Sequence, residues 1–178
     1  LYNKYDVFQK LPYLYLTMAI LMLLFVIMQI FKDKKWLKVI IKVCHTIIGL
    51  LFIVHTLALI MRWYISGHAP WSDAYESIIY VAWSTMFFEL SFGITQKVSI
   101  FSNKRIFSTL LNLSLYSKSK LTVASASFVT AMILAVAYSS WTDPAIGNLQ
   151  PVLNSYWLMI HVAVIVASYG PFAFGMIL

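Results

Sequence analysis

The chain has 178 residues, of which 61% are hydrophobic and 11% charged, with a formal net charge of +7 and a mean hydropathy of +0.82. Soluble domains carry roughly 25% charged and 45–50% apolar residues, so this much apolar surface cannot all be hidden from water in one core. An ordinary soluble enzyme, a disulfide-stapled secreted domain (there is one Cys) and a disordered chain are excluded, and the implied solvent is lipid.

A helix crossing the hydrocarbon layer needs about 20 mostly apolar residues. Five stretches meet that requirement: 11–31, 39–61, 75–95, 121–139 and 156–178. The first has Pro12 where a first-turn proline is tolerated. It follows a mixed polar segment and lacks a small-residue cleavage site, so it does not read as a signal peptide. The second carries Cys44, His45 and His55. Ten residues separate the two histidines, about 15 Å along the axis and roughly 80° around it, which is too far apart to share one metal. With no CxxC or HExxH nearby, Cys44 reads as a small buried apolar residue.

The third span opens with Ser72 as its expected N-cap and with Asp73 and Glu76 in the first turn, where acids suit the helix dipole. Glu89 lies some four turns in and is expected to pair with a basic neighbour such as Lys97 or to reach the interface. Segment 97–120 is basic and partly apolar, consistent with an amphipathic helix on anionic lipid or with a solvated connector. The fifth span carries His161 one turn after Trp157 on the same face, and Gly170-Pro171 predicts a kink. Internal repeats, heptads, low-complexity tracts and the alternating strands of a membrane barrel are missing.

Ten of the thirteen Lys and Arg residues (Lys32, Lys34, Lys35, Lys38, Lys42, Lys97, Lys104, Arg105, Lys118 and Lys120) fall on one side if the five spans alternate. Lys4, Lys10 and Arg62 are left for the other. Basic residues concentrate in cytoplasmic loops, so the N-terminus is expected outside. Topology accounts for the charge, and no nucleic acid partner is needed. The expected fold is all-α, a polytopic transmembrane bundle of about five spans forming one membrane domain over 1–178. A start at Leu1 and a stop at Leu178 with no polar anchor suggest a piece of a longer chain.

Trp63, Trp71, Trp141 and Trp157 then fall at or beyond the outer boundary, Trp36 at the inner one and Trp83 within the third span. Four against one leans toward an outer aromatic platform but is too few to reject the ordinary aromatic belt at both interfaces. His161 sits near the outer end of its span, and imidazole is the commonest axial ligand of haem iron. The competing reading for each histidine is a bundle-facing ring bonded to a carbonyl or hydroxyl.

Two segments go further. The run Arg62-Trp63-Tyr64-Ile65-Ser66-Gly67-His68-Ala69-Pro70-Trp71-Ser72-Asp73-Ala74-Tyr75-Glu76-Ser77 resembles the signature loop and following helix of CcsA, the system II cytochrome c biogenesis family. The run Asn148-Leu149-Gln150-Pro151-Val152-Leu153-Asn154-Ser155-Tyr156-Trp157-Leu158-Met159-Ile160-His161-Val162, continuing to Ala167-Ser168-Tyr169, resembles the family segment with the first of two external haem-ligating histidines. The resemblance covers most of 58–95 and 121–178. It implies a protein of the bacterial cytoplasmic membrane, part of a holocytochrome c synthase. That machine moves haem b outward and presents it at the periplasmic face for thioether attachment to the CxxCH cysteines of apocytochrome c.

On this mapping His161 is an axial ligand to haem iron, Trp157 stands beside it, and a CcsB-type partner or fused domain assists. The family's tryptophan-rich motif, second external histidine and further membrane histidine lie downstream of this segment. The stretch thus carries half of a bis-imidazole site and is not expected to complete catalysis alone. No family role transfers to His45 or His55, and none as ligand to His68. Two other classes compete: a membrane cytochrome b-type electron-transfer subunit, for which His55 opposite His161 is the one feasible pairing, and a structural assembly subunit without ligand.

Overall fold

The computed structural model describes residues 7–32, 34–102, 108–138, 145 and 155–177. Within them the chain forms five helices: α1 (Val7–Phe31), α2 (Lys35–Ser66), α3 (Ala74–Ser102), α4 (Ser108–Tyr138) and α5 (Tyr156–Ile177). Helices are the natural solution for such a sequence, because each satisfies its own backbone donors and acceptors where no water can. Four segments, Val7–Phe31, Lys35–Ser66, Lys120–Tyr138 and Tyr156–Ala173, are long and apolar enough to cross a membrane. The protein is a polytopic helical membrane protein.

Along α1 the buried positions Phe8, Leu11, Tyr15, Ala19, Met22 and Val26 recur at three- and four-residue intervals. This is one stripe of a helix. Leu14, Leu21, Leu24 and Met28 point outward, as suits a helix whose other face meets lipid. The stripe packs chiefly on α4 and α2, while α3 packs on α4 and α5 and touches α2 more lightly. Cys44 lies in this core.

Hydrogen bonds set the helix directions. The Gln9 amide donates to the Tyr138 hydroxyl at one end of the α1–α4 pair, and Lys120 Nζ donates to Gln29 Oε1 at 3.1 Å at the other, so α1 and α4 are antiparallel. Thr130 Oγ1 donates to the Ala82 carbonyl at 3.4 Å, joining α4 to α3. The Trp83 indole donates to Thr56 Oγ1 at 2.9 Å, joining α3 to α2. Chain starts of α1, α3 and α5 therefore share one end of the bundle. Lys32, Lys34, Lys35 and Lys42, all exposed, occupy the opposite, lysine-rich end.

The helices outrun the apolar spans, and three expectations change as a result. Pro12 lies inside α1, which extends back at least to Val7, so the proline removes an interior backbone donor. Segment 97–120 is largely helix: α3 runs to Ser102 and α4 begins at Ser108, leaving a connection at 103–107 outside the described residues. The N-cap of α3 falls on Asp73 rather than Ser72. Its Oδ1 accepts from Ala74 N–H at 2.7 Å, and its carbonyl accepts from Ser77 N–H at 2.8 Å.

His55 is fully buried edge-on to Phe8 and Tyr15, with ring centroids 5.9 and 6.2 Å away. Neither ring nitrogen closes a hydrogen bond of good geometry, although the Ile79 backbone lies within reach of the ring, and the Tyr15 hydroxyl closes none among the described residues. A buried polar group left unsatisfied costs about 1–3 kcal/mol. His55→Phe, which keeps a ring in the same place, should therefore be neutral to stabilising by up to about 2 kcal/mol in thermal unfolding of the purified protein. A clear loss of stability would show that His55 holds something in the native state.

Candidate functional site

The lysine-poor end is built around a short loop. α2 closes at Gly67, whose φ of 70° is the left-handed conformation favoured by glycine, and the Gly67 N–H caps the helix by donating to the Trp63 carbonyl. Seven residues later the chain re-enters as α3. Between the two helices, Arg62 Nε donates to Glu76 Oε1 at 2.9 Å, with side chains only 2% and 1% exposed. The guanidinium also lies 4.9 Å from the centre of the Tyr75 ring. The second carboxylate oxygen accepts from Ser72 N–H at 3.3 Å.

His68 completes this cluster: its Nδ1 lies 3.3 Å from the Ala69 carbonyl and 3.7 Å from Glu76 Oε2. It is thus a loop-bracing residue. Glu76, expected as a helix-dipole acid, is instead the buried partner of Arg62. The available signal was a basic residue in the last turns of one helix and an acidic residue in the first turn of the next, on either side of a short loop.

Trp71 carries the loop across to α5. Its indole N–H donates to the Met159 carbonyl at 3.1 Å, and its ring packs on Tyr80 with centroids 5.0 Å apart. Tyr80, Trp83 and Phe87 continue as a stacked column along α3. Lower down, α5 closes on α3 at Gly170, where a Cβ would stand 2.7 Å from the Thr85 backbone nitrogen and collide with Ser84 Oγ. The proline after it is within a continuous helix.

His161 precedes Gly170 by nine residues, about 180° around the helix, so it faces away from α3 and is exposed. Trp157 is 79% exposed one turn earlier. Together with Ser155, Leu158, Ile160 and Val164 they line a shallow, open concavity along the start of α5. Trp63, on the outward face of α2, is half exposed. Trp141 lies outside the described residues, as does 148–154 of the second resembling run.

Two expectations fail on this geometry. α2 and α5 make no contact among the described residues, and His55 and His161 face different ways, so the pairing open to a cytochrome b does not form. Glu89 does not snorkel: it is buried against the Thr122 side chain of α4, which hydrogen-bonds it, while the Lys97 side chain lies outside the described residues.

No three His, Cys, Asp or Glu side chains among the described residues converge as a metal site. One exposed imidazole cannot hold a bare ion, which wants three or four such donors. It can supply one axial bond to iron whose equatorial positions a flat macrocycle already fills, and an indole one turn away offers an apolar surface to that plane.

The fold and this face define a helical membrane protein with one exposed histidine, among the described residues, at the lysine-poor end. Residues 71–178 match the family model described as cytochrome c assembly protein, and the chain belongs to that family. It is 37% identical to protein NrfI of Wolinella succinogenes over 176 residues, covering 98% of this chain and 17% of that protein. The cytochrome c biogenesis protein CcsA of Prochlorococcus marinus is 34% identical over 149 residues, covering 84% of this chain and 40% of the relative. CcsA of Ranunculus macranthus is 33% identical over 127 residues, 71% and 34% of the two chains. The chain thus spans less than half the length of these relatives.

Proposed function

We propose that this chain is the haem-presenting part of a CcsA-type holocytochrome c synthase. It would hold haem b as cargo at the periplasmic face of a bacterial cytoplasmic membrane for attachment to apocytochrome c, in company with a CcsB-type partner or fused domain. The observation that carries this reading is the orientation of His161. It faces an open concavity beside Trp157, on the side of α5 turned away from the bundle, at the end opposite the lysines. The imidazole supplies one axial bond to the iron, Trp157 offers an apolar wall to the macrocycle, and the exposed face lets a second ligand and the apocytochrome approach from outside.

The reading is tested on full-length protein purified from membranes and assayed as pyridine haemochrome, with a co-expressed CxxCH reporter scored for covalent haem. Stoichiometric haem and a haem-stained reporter are expected. A folded protein free of haem that matures no reporter would rule it out.

The assigned orientation has its own test. Tyr156→Cys should react with a membrane-impermeant thiol reagent on intact cells, and Lys35→Cys only after the membrane is opened, because basic residues are retained on the cytoplasmic side. The reverse pattern would turn the proposed site inward.

A further inference from the structure

α5 is held at two points on one of its faces, one on the loop before α3 and one on α3 itself. Near its start, the Trp71 indole donates to the Met159 carbonyl. Eleven residues and about 16 Å further on, Gly170 seats against Ser84 and Thr85. Eleven residues return a helix to within about 20° of the same direction, so the two contacts act on one line and together set the helix rotation. The upper contact is firmly mounted. The Trp71 carbonyl accepts from Ser77 Oγ at 3.1 Å, its backbone N–H donates to the Ala69 carbonyl at 2.8 Å, and the next residue is tied to Glu76, which is paired with Arg62.

We propose that Trp71 is a positioning residue for His161. Its indole N–H, with the close seat of Gly170 below, fixes the rotation of α5 so that the imidazole two residues beyond Met159 is aimed into the open concavity. The proposal rests on the reading of His161 as a haem ligand. It goes beyond that reading by assigning the imidazole's aim to a tryptophan on another segment, which itself touches no haem. Trp71 is well suited to the task, since it combines a long rigid side chain with a single donor at its rim. Phenylalanine would keep the packing on Tyr80 and lose only the strut.

The test uses full-length protein with Trp71→Phe, Gly170→Ala and His161→Ala, each read two ways. The first reading is haem retention and the spin state of the bound iron by optical and electron paramagnetic resonance spectroscopy. The second needs no haem: it is the distance between spin labels at Tyr64→Cys and Tyr156→Cys, both highly exposed, in a Cys44→Ser background.

Trp71→Phe should weaken haem retention about three- to tenfold, the worth of one hydrogen bond. The remaining haem should shift from low towards high spin, with added imidazole restoring the low-spin signal, and the label distances should move or broaden. Gly170→Ala should displace the same helix by a different route, with the same spectral change. If His161→Ala loses haem while Trp71→Phe leaves both spectrum and distances as in the wild type, the positioning role is overturned and the function stands. If His161→Ala keeps its haem, the functional reading fails, and unchanged label distances in Trp71→Phe would overturn the strut as well.

Discussion

Full-length protein carrying His161→Ala is expected to lose nearly all of its bound haem while folding as well as the wild type. Both halves follow from where the side chain stands. His161 is exposed, on the side of α5 opposite the Gly170 seat on α3. Truncating a surface side chain costs less than about 0.5 kcal/mol in stability, so yield and melting temperature should hold. Removing an axial ligand takes away a bond to the iron itself. The loss should exceed the roughly 10–100-fold penalty that follows from removing a supporting group behind a ligand.

The concavity in front of the residue is open, so free imidazole should enter the space left by the alanine and restore part of the haem and its low-spin spectrum. Trp157→Ala should reduce retention less, because it withdraws an apolar wall and no bond. Haem content equal to wild type in His161→Ala, by pyridine haemochrome, would remove the residue from the site.

Five helices and their order were legible in the sequence, and in four of them the described residues meet the demand that lipid imposes, about 20 apolar residues per crossing. The helix ends were not legible. Val7 to Lys10 and most of 97–120 continue the helices into polar sequence, where hydropathy carries no signal. Candidate ligands were legible in the same uneven way. His161 and Trp157 could be placed on one face by their spacing, and the structure keeps them there. The fate of His55, Glu89 and Glu76 could not be read, since each depends on which neighbouring helix it meets: Phe8 and Tyr15 from α1, Thr122 from α4, Arg62 from α2. Trp71 was visible only as one tryptophan of an outer group. Its bond to Met159 spans 88 positions of sequence, and no periodicity reports a contact of that kind.

The largest stability effect is expected at the pair the sequence left unmatched. Arg62 and Glu76 are both almost wholly buried and meet at 2.9 Å. Each has been taken out of water at considerable cost, which their mutual attraction and added hydrogen bonds repay. Glu76→Ala would leave the guanidinium buried without its carboxylate and would strip the Ser72 N–H of its acceptor. Breaking such a pair from one side costs about 3–5 kcal/mol, and Arg62→Met should cost a similar amount for the mirror-image reason. The double variant Arg62→Met with Glu76→Leu puts apolar groups in both places, and replacement of a whole buried pair is often neutral. It should recover most of the loss. Unfolding of the three proteins in the same detergent reads the coupling directly. Losses that simply add would mean that the two charges are independent in the folded protein, and that α2 and α3 are joined at this end by the loop alone. A strong coupling would locate the lock between them beneath the loop that carries Trp71.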